Sequence, residues 1–310
     1  MREVRTRDCR RNLRFPSIHP GQKTKPLPLI QETTTVNTAP TDPSETTYTM
    51  GYSEDFQKLL RRRNAQSNAA HLLPHLEPGL QVLDLGCGPG TISVGLAQAV
   101  APGEVHGVDV EASQIDLARA AASDGGHRNA VFQTGDATAL DFADNTFDIV
   151  HCHAVLMHVP DTQAVLAEVL RVLKPRGILS SRDLVAGSSF FEPDMGDLGN
   201  AWITFSSLLK ANGGHPQMGK ELKRLFLEAG FSDVAASASF EPFSTAEDVE
   251  FLYNFSVGWF FAPDTVEAAV KHGLASQEQF DSWLSMLGEW KTLPGAFGAF
   301  AWGEAIGHKP

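Results

Sequence analysis

From Leu80 onward, short apolar runs alternate with longer stretches in which apolar residues recur every three or four positions. "LQVLDLG" predicts a strand and "TISVGLAQAVA" the helix after it; "EVHGVDV" and "EASQIDLARAAASDG" repeat the pair. "AVFQTGD" predicts a third strand, followed by a loop and a short helix. "FDIVHCHAVL" predicts a strand feeding the helix "TQAVLAEVLRVL", and "GILSSRDLV" a strand feeding helices near residues 197–229. Repeated strand–helix units of this length predict an α/β fold: a doubly wound, mostly parallel sheet with helices on both faces. Ligands of such sheets bind outside the carboxyl ends of the strands.

Both flanks depart from this rhythm. In "SEDFQKLLRRRNAQSNAAHLLPHLEPG", Ser53 is placed as a helix cap, Phe56, Leu59 and Leu60 fall at helical spacing, and Pro74 and Pro78 break the pattern, so a helical lead-in is expected. After "FSDVAASASFEP", residues 245–291 read as helical and aromatic, with Phe251, Tyr253, Phe255, Trp259, Phe260, Phe261 and Trp283 among them. A last strand, "AFGAFAWGEAIGHK", follows. The aromatic helices are thus an insertion before the last strand, serving either as a lid and substrate wall or as ordinary core and dimer contact. Residues 1–47 run from basic to Pro-rich to Thr-rich without apolar periodicity and are expected to be a disordered extension, with residues 48–310 as the folded domain. A transit peptide and an overextended gene start are the other readings of that stretch.

Charge narrows the partners. The net charge of −12 is uneven: residues 1–40 hold 8 of the 25 Lys and Arg but 3 of the 37 Asp and Glu, leaving a body of about −17. Such a body repels a phosphate backbone, so no nucleic-acid partner is expected. Three cysteines, Cys9, Cys87 and Cys152, without CxxC spacing, give neither a disulfide framework nor a zinc site and fit a reducing, cytoplasmic setting. No apolar run has the length of a membrane span, so no membrane partner is expected.

The chemistry starts at "VLDLGCGPGT". A dinucleotide loop reads G-x-G-x-x-G, its third glycine letting the helix pack close and the pyrophosphate meeting the helix N-terminus. Here Gly86, Gly88 and Gly90 alternate, Pro89 lies between, and Thr91 stands where that third glycine belongs. Asp84, two residues before the loop, adds a negative charge that suits a cationic ligand better than a pyrophosphate. S-adenosylmethionine carries an ammonium and a sulfonium and no phosphate. Asp109, ending the second strand, can accept both ribose hydroxyls, and Asp136, after the third, the adenine amino group. Each acid alone is an ordinary turn residue; their order in consecutive units is the signal.

"VLDLGCGPGT", "GVDVEASQIDLARA", "GDATALDFADNTFDIVHCHAVLMHV" and "VLRVLKPRGIL" resemble the successive motifs of class I S-adenosylmethionine-dependent methyltransferases of the ubiquinone/menaquinone-biosynthesis type, over roughly residues 52–185. The flanks are similar to a subgroup of bacterial and fungal small-molecule methyltransferases. The resemblance implies a Rossmann-like, seven-stranded sheet. It implies that Asp84, Gly86, Gly88 and Gly90 contact the methionine part, Asp109 the ribose, and Asp136 with Ala137 the adenine. Tyr52, Cys87, Val110, Gly135 and His151 complete the expected cofactor set, and Arg63 is placed for the methionine carboxylate or else on a solvated helix face. Cys87 is expected as a small buried filler rather than a nucleophile.

Methyl transfer needs a base only where the acceptor must lose a proton. His151 and His153 share one face of the fourth strand, and His153 is the first candidate base, with an imidazole titrating near working pH; a structural histidine and a metal pair without further ligands are the alternatives, two ligands being too few for a dedicated site. Asp183, at the end of the fifth strand, is the second candidate, as an acid near the sulfonium or an anchor for substrate; pairing with Arg182 or a helix cap is its plain alternative. His158 is read as structural, and Trp302 and Glu304 share a face of the last strand without an assigned role. An Asn/Asp-Pro-Pro-aromatic turn, the mark of amino-methylating nucleic-acid enzymes of this fold, is replaced by "HCHAVL". The favoured activity is methyl transfer to a small-molecule O, C or N atom on a quinone-, phenol- or polyketide-like acceptor, with room for a homodimer. A nucleotide-dependent oxidoreductase and a non-catalytic S-adenosylmethionine-binding partner subunit are the competing readings.

Overall fold

The computed structural model describes residues 49–310, so the expectation for residues 1–47 lies outside the described residues. The lead-in forms α1 (Glu54–Arg62) and α2 (Ala65–Asn68). Ser53 accepts the Phe56 N–H, which caps α1, and Phe56, Leu59 and Leu60 on its inner face are buried. Then come β1 (Val82–Leu85), α3 (Thr91–Val100), β2 (Val105–Asp109), α4 (Ala112–Asp124), β3 (Ala130–Thr134), β4 (Phe147–His153), α5 (Thr162–Val172) and β5 (Leu173–Leu184). β6 (Phe190–Glu192), α6 (Leu198–Ala211), α7 (Met218–Ala229), β7 (Ser232–Phe243), α8 (Ala246–Trp259), α9 (Pro263–Lys271), α10 (Gln277–Trp290) and β8 (Phe297–His308) complete the chain.

The sheet has the order β3-β2-β1-β4-β5-β8, parallel from β3 to β5, with β8 antiparallel to β5. β7 pairs along the far edge of β8, antiparallel to it. Three-residue β6 pairs with Phe297–Ala299 of β8 and continues the edge that β5 leaves, which makes eight strands where seven are expected. The sheet's reversal lies between β1 and β4, so the carboxyl ends of β1, β2 and β4 gather on one rim. No helix forms between β3 and β4: Asp136 takes both the N–H and the hydroxyl of Thr138, which folds that stretch as a turn instead.

The insertion is helical as expected, with capping boxes starting α8 (Thr245 with Asp248) and α10 (Ser276 with Gln279). Its inward residues, among them Phe255, Trp259, Phe280, Trp283 and Trp290, are buried in the same hydrophobic cluster as β4 and β5. These residues thus form part of that core. Among the described residues no helix is long and apolar enough to cross a membrane.

Candidate active site

At the rim formed by β1, β2 and β4 lies a cavity of about 540 Å3, within the size range of small-molecule sites. Asp84, Gly86, Cys87 and Gly88 line one side, and Asp109, Val110, Gly135, Asp136 and Ala137 another. Tyr52 and Arg63 of the lead-in and His153 at the end of β4 also line it. Twelve of the expected residues thus meet around one space, although they come from separate units of the chain.

The loop after β1 achieves this through its backbone. Gly86 has φ +69° and Gly88 φ +52°; a Cβ on Gly86 would strike the Val155 side chain at 2.4 Å, whereas Gly88 has nothing within 4 Å of that position. The Gly88 N–H donates to Asp109 Oδ2 at 2.9 Å, and the Glu111 N–H to Oδ1 at 3.0 Å, which fixes the carboxylate across the loop. Gly90 does different work: with φ +75° at the start of α3, its Cβ position lies 2.8 Å from Ala118 Cβ, so it allows α4 to pack close. It does not line the cavity, unlike Gly86 and Gly88.

The electrostatics favour a cation. Asp84 is 2% exposed and accepts the Ser93 hydroxyl. Burial outweighs that hydrogen bond, and with Asp109 nearby it pushes the Asp84 carboxyl up to about 7. Burial also raises Asp109, and the Tyr52 phenol rises to about 12 through burial and the Asp109 and Glu111 charges. A positive group arriving here relieves these penalties. Cys87 is buried with its thiol pushed well up, so it is an inert filler, as expected.

Besides Gly90, two expected residues stand away from the cavity. His151 is fully buried under the lead-in, its Nδ1 3.1 Å from the Ser180 hydroxyl, which also lies 2.9 Å from His71 Nε2. It shares a face with His153 but lies two residues back from the strand end, where His71 covers it. Asp183 points to the sheet face opposite its neighbour Arg182; it accepts the Met157 N–H at 3.1 Å and the Ser181 hydroxyl at 2.9 Å, and is fully buried. Its work is to hold the turn after β4, not to face a ligand. Of its sequence alternatives, pairing with Arg182 does not apply, since Arg182 pairs with Glu304 at 3.3 Å on the other face, whereas Asp183 does serve as a cap, for the short 3-10 helix Leu156–His158.

His153 does line the cavity, with both ring nitrogens buried and without a hydrogen-bond partner among the described residues. Burial, with Arg63 and Arg182 nearby, holds its pKa well below 6.5 and not near working pH. The imidazole is neutral and free to accept a proton bond.

Groups outside the expected site set, namely His158, a ring of aromatic side chains and Glu241, complete the arrangement. A second, smaller chamber of about 50 Å3 adjoins the cavity, and Arg63, Ala154 and His158 line both. Burial and the Arg63 charge push the His158 imidazole down to about 3, so it faces the junction uncharged. The chamber walls are aromatic, Trp202, Phe205, Phe255, Trp259, Phe300 and Trp302 among them, with Glu241 beside Trp302. The alternation of "AFAWG" was the available signal for Phe300 and Trp302; for Glu241, on a strand across the sheet, there was none.

The geometry is matched by likeness to known proteins. Residues 76–230 match the family model described as a methyltransferase domain. A probable methyltransferase, ltbC, of Aspergillus luteorubrus is 38% identical over 165 residues, which make up 50% of this chain and 57% of that protein, so the chain spans less than two thirds of that relative's length. A demethylmenaquinone methyltransferase of Bacillus pumilus is 33% identical over 186 residues, 56% of this chain and 77% of that protein. In structure, the YcgJ protein of Bacillus subtilis superposes with a TM-score of 0.55 at 20% identity, over 79% of this chain and 99% of that one, a likeness of fold. A methyltransferase-family match over half the chain, on a sheet that gathers Asp84, Asp109 and Asp136 at one rim, makes this chain a member of the class I S-adenosylmethionine-dependent methyltransferases.

Proposed function

We propose that the protein transfers a methyl group from S-adenosylmethionine to a small, partly apolar acceptor held where the large cavity meets the aromatic chamber. The junction carries this reading: a cavity bordered by three strand-end carboxylates opens, at Arg63, Ala154 and His158, onto a chamber walled by aromatic rings. Asp84, buried beside the glycine loop, suits the ammonium; Asp109 suits the ribose hydroxyls; Asp136 and Ala137 suit the adenine; Arg63 suits the methionine carboxylate. Tyr52, Val110 and Gly135 border the same space.

When bound, the sulfonium supplies an activated methyl carbon, which leaves the protein the tasks of alignment and desolvation. The carboxylates orient the donor from the sheet side, and the aromatic walls exclude water from the line of attack. Phe255 and Trp259 of α8 form part of the chamber wall, so the insertion contributes to the acceptor site through that helix. Where the acceptor atom carries a proton, neutral His153 accepts its hydrogen bond and orients the attacking atom, while burial and the nearby guanidinium groups oppose its becoming an imidazolium. The acidic body supports a small-molecule acceptor over a nucleic acid, and the aromatic rings at that border suit quinone-, phenol- or polyketide-like acceptors.

Replacing Asp109 tests the cofactor part. Asp109→Ala should weaken S-adenosylmethionine binding at least about tenfold by calorimetry, with an unchanged circular dichroism spectrum, as loss of a charge-assisted bond predicts. Unchanged affinity would sink the reading. A labelled-methyl screen of phenols, quinones and amines, with mass spectrometry of the product, then identifies the acceptor.

A further inference from the structure

The His153 imidazole borders the large cavity with both ring nitrogens buried and without a hydrogen-bond partner among the described residues. A histidine ring is ordinarily held through one nitrogen, whose hydrogen bond fixes orientation and tautomer together. Here packing has that task, and the ring packed against the imidazole is Trp302: the two centroids lie 4.8 Å apart, with the planes inclined by 39°. Trp302 lines the aromatic chamber and His153 the cavity, and neither lines the other space, so their contact is part of the partition between the two.

Sheet register brings the two rings together. His153 of β4 pairs with Arg182 of β5, and Arg182 with Glu304 of β8, so these three share one face; Trp302 stands two residues along β8 on that same face. Trp302 is anchored in turn from two other strands. Its indole N–H donates to Glu241 Oε2 of β7 at 3.2 Å, and the Arg182 guanidinium lies over its ring, 4.4 Å from the centroid. The commitment of that N–H to Glu241 matters chemically. An imidazole held by a donor gives up its lone pair, and one held by a carboxylate commits its proton, whereas an indole ring holds it and takes neither.

We propose that Trp302 is the positioning residue for His153, holding the imidazole at the edge of the cavity by ring packing so that its nitrogens stay free for the acceptor. The role given to His153 rests on the methyltransferase reading above. Glu241 and Arg182 act one step further back, by fixing Trp302. Such positioning matters because a displacement of about 1 Å at a reacting group costs about 100-fold in rate.

The mobility of that one imidazole is the test. The full chain, carrying carbon-13-labelled histidine and saturated with S-adenosylhomocysteine, is measured by carbon relaxation at the Cε1–Hε1 pair of His153, which is identified by its absence in His153→Gln. In the wild-type chain its order parameter should lie near that of rigid backbone, about 0.85, and Trp302→Leu should lower it below about 0.6. Trp302→Phe, which keeps a ring, should retain most of the order; Glu241→Leu, which frees the indole without touching His153, should lie between. His151 is the internal control, since it shares the strand face but has its Nδ1 3.1 Å from the Ser180 hydroxyl, and its order should stay unchanged throughout. A mobile His153 in the wild-type chain, a rigid one in Trp302→Leu or Glu241→Leu, or loosening of His151 together with His153 would each overturn the proposal. Should Trp302→Leu fail to fold by circular dichroism, Glu241→Leu decides alone. S-adenosylhomocysteine binding, followed by calorimetry, is judged separately: if the wild-type chain does not bind it, the cofactor reading falls, and the ring measurements repeated on the free chain still judge Trp302.

Discussion

At the scale of single residues, burial decides protonation, and protonation decides what each group can do. Asp84 was legible from its place before the glycine loop, but its titration was not, because that depends on the absence of water around it. Its carboxyl, ordinarily near 3.8, is raised to about 7, so in the free protein it holds a proton through the weakly acidic range. An arriving ammonium favours the ionised form and lowers that pKa, so binding releases up to one proton below about pH 7 and none well above it. Apparent S-adenosylmethionine affinity should therefore rise with pH up to about 7 and then level off. Calorimetry in buffers of differing ionisation enthalpy should detect the released proton at pH 6 in the wild-type chain and not in Asp84→Asn. For folding the sign is opposite: a raised carboxyl adds stability below its unfolded value near 3.9, and that stability is lost as pH climbs to about 7. His153 shows the same dependence on context: its position was legible, and its neutrality follows from Arg63, Arg182 and burial, which no local pattern records.

Among the elements, the glycine loop divides its tasks in a way the motif alone does not reveal. Gly86 and Gly88 turn the chain beneath the cavity, and Gly90 lets α3 and α4 approach. Gly90→Ala places a methyl within 3 Å of Ala118 in a left-handed conformation, so it should destabilise the fold by about 1–3 kcal/mol in urea titration. A variant with wild-type stability would mean that α4 shifts freely, contrary to its tight packing. Strand alternation correctly put His151 and His153 on one face, yet only the end of β4 reaches the cavity. In β5, alternation turns Asp183 away from Arg182, toward the backbone of the turn that carries His158.

Across the whole molecule, the last strand joins everything, since β8 lies between β5 and β7 and also takes β6. The aromatic helices share the main hydrophobic cluster with the sheet, so they are not a separately melting cover. Trp290 is fully buried and its indole N–H donates to the Glu192 carbonyl in β6 at 2.9 Å, which ties α10 to the sheet edge. Trp290→Ala should cost about 3–5 kcal/mol and lower a single cooperative melting transition. An early, separate transition for the helices, seen by calorimetry, would show that they fold on their own.

The sequence by itself determined the strand–helix rhythm, the loop between β1 and α3, and the three acids at strand ends, because each is written in a local period or spacing. Only the tertiary structure decided which of these residues meet. It moved His151 beneath the lead-in and Asp183 beneath a turn, and it brought Glu241, Trp302 and Trp202 into one chamber from distant segments. The physical reason is that burial and long-range charge belong to the packed molecule: a side chain's neighbours across the sheet, not its neighbours along the chain, determine whether it meets water, a ligand or another residue.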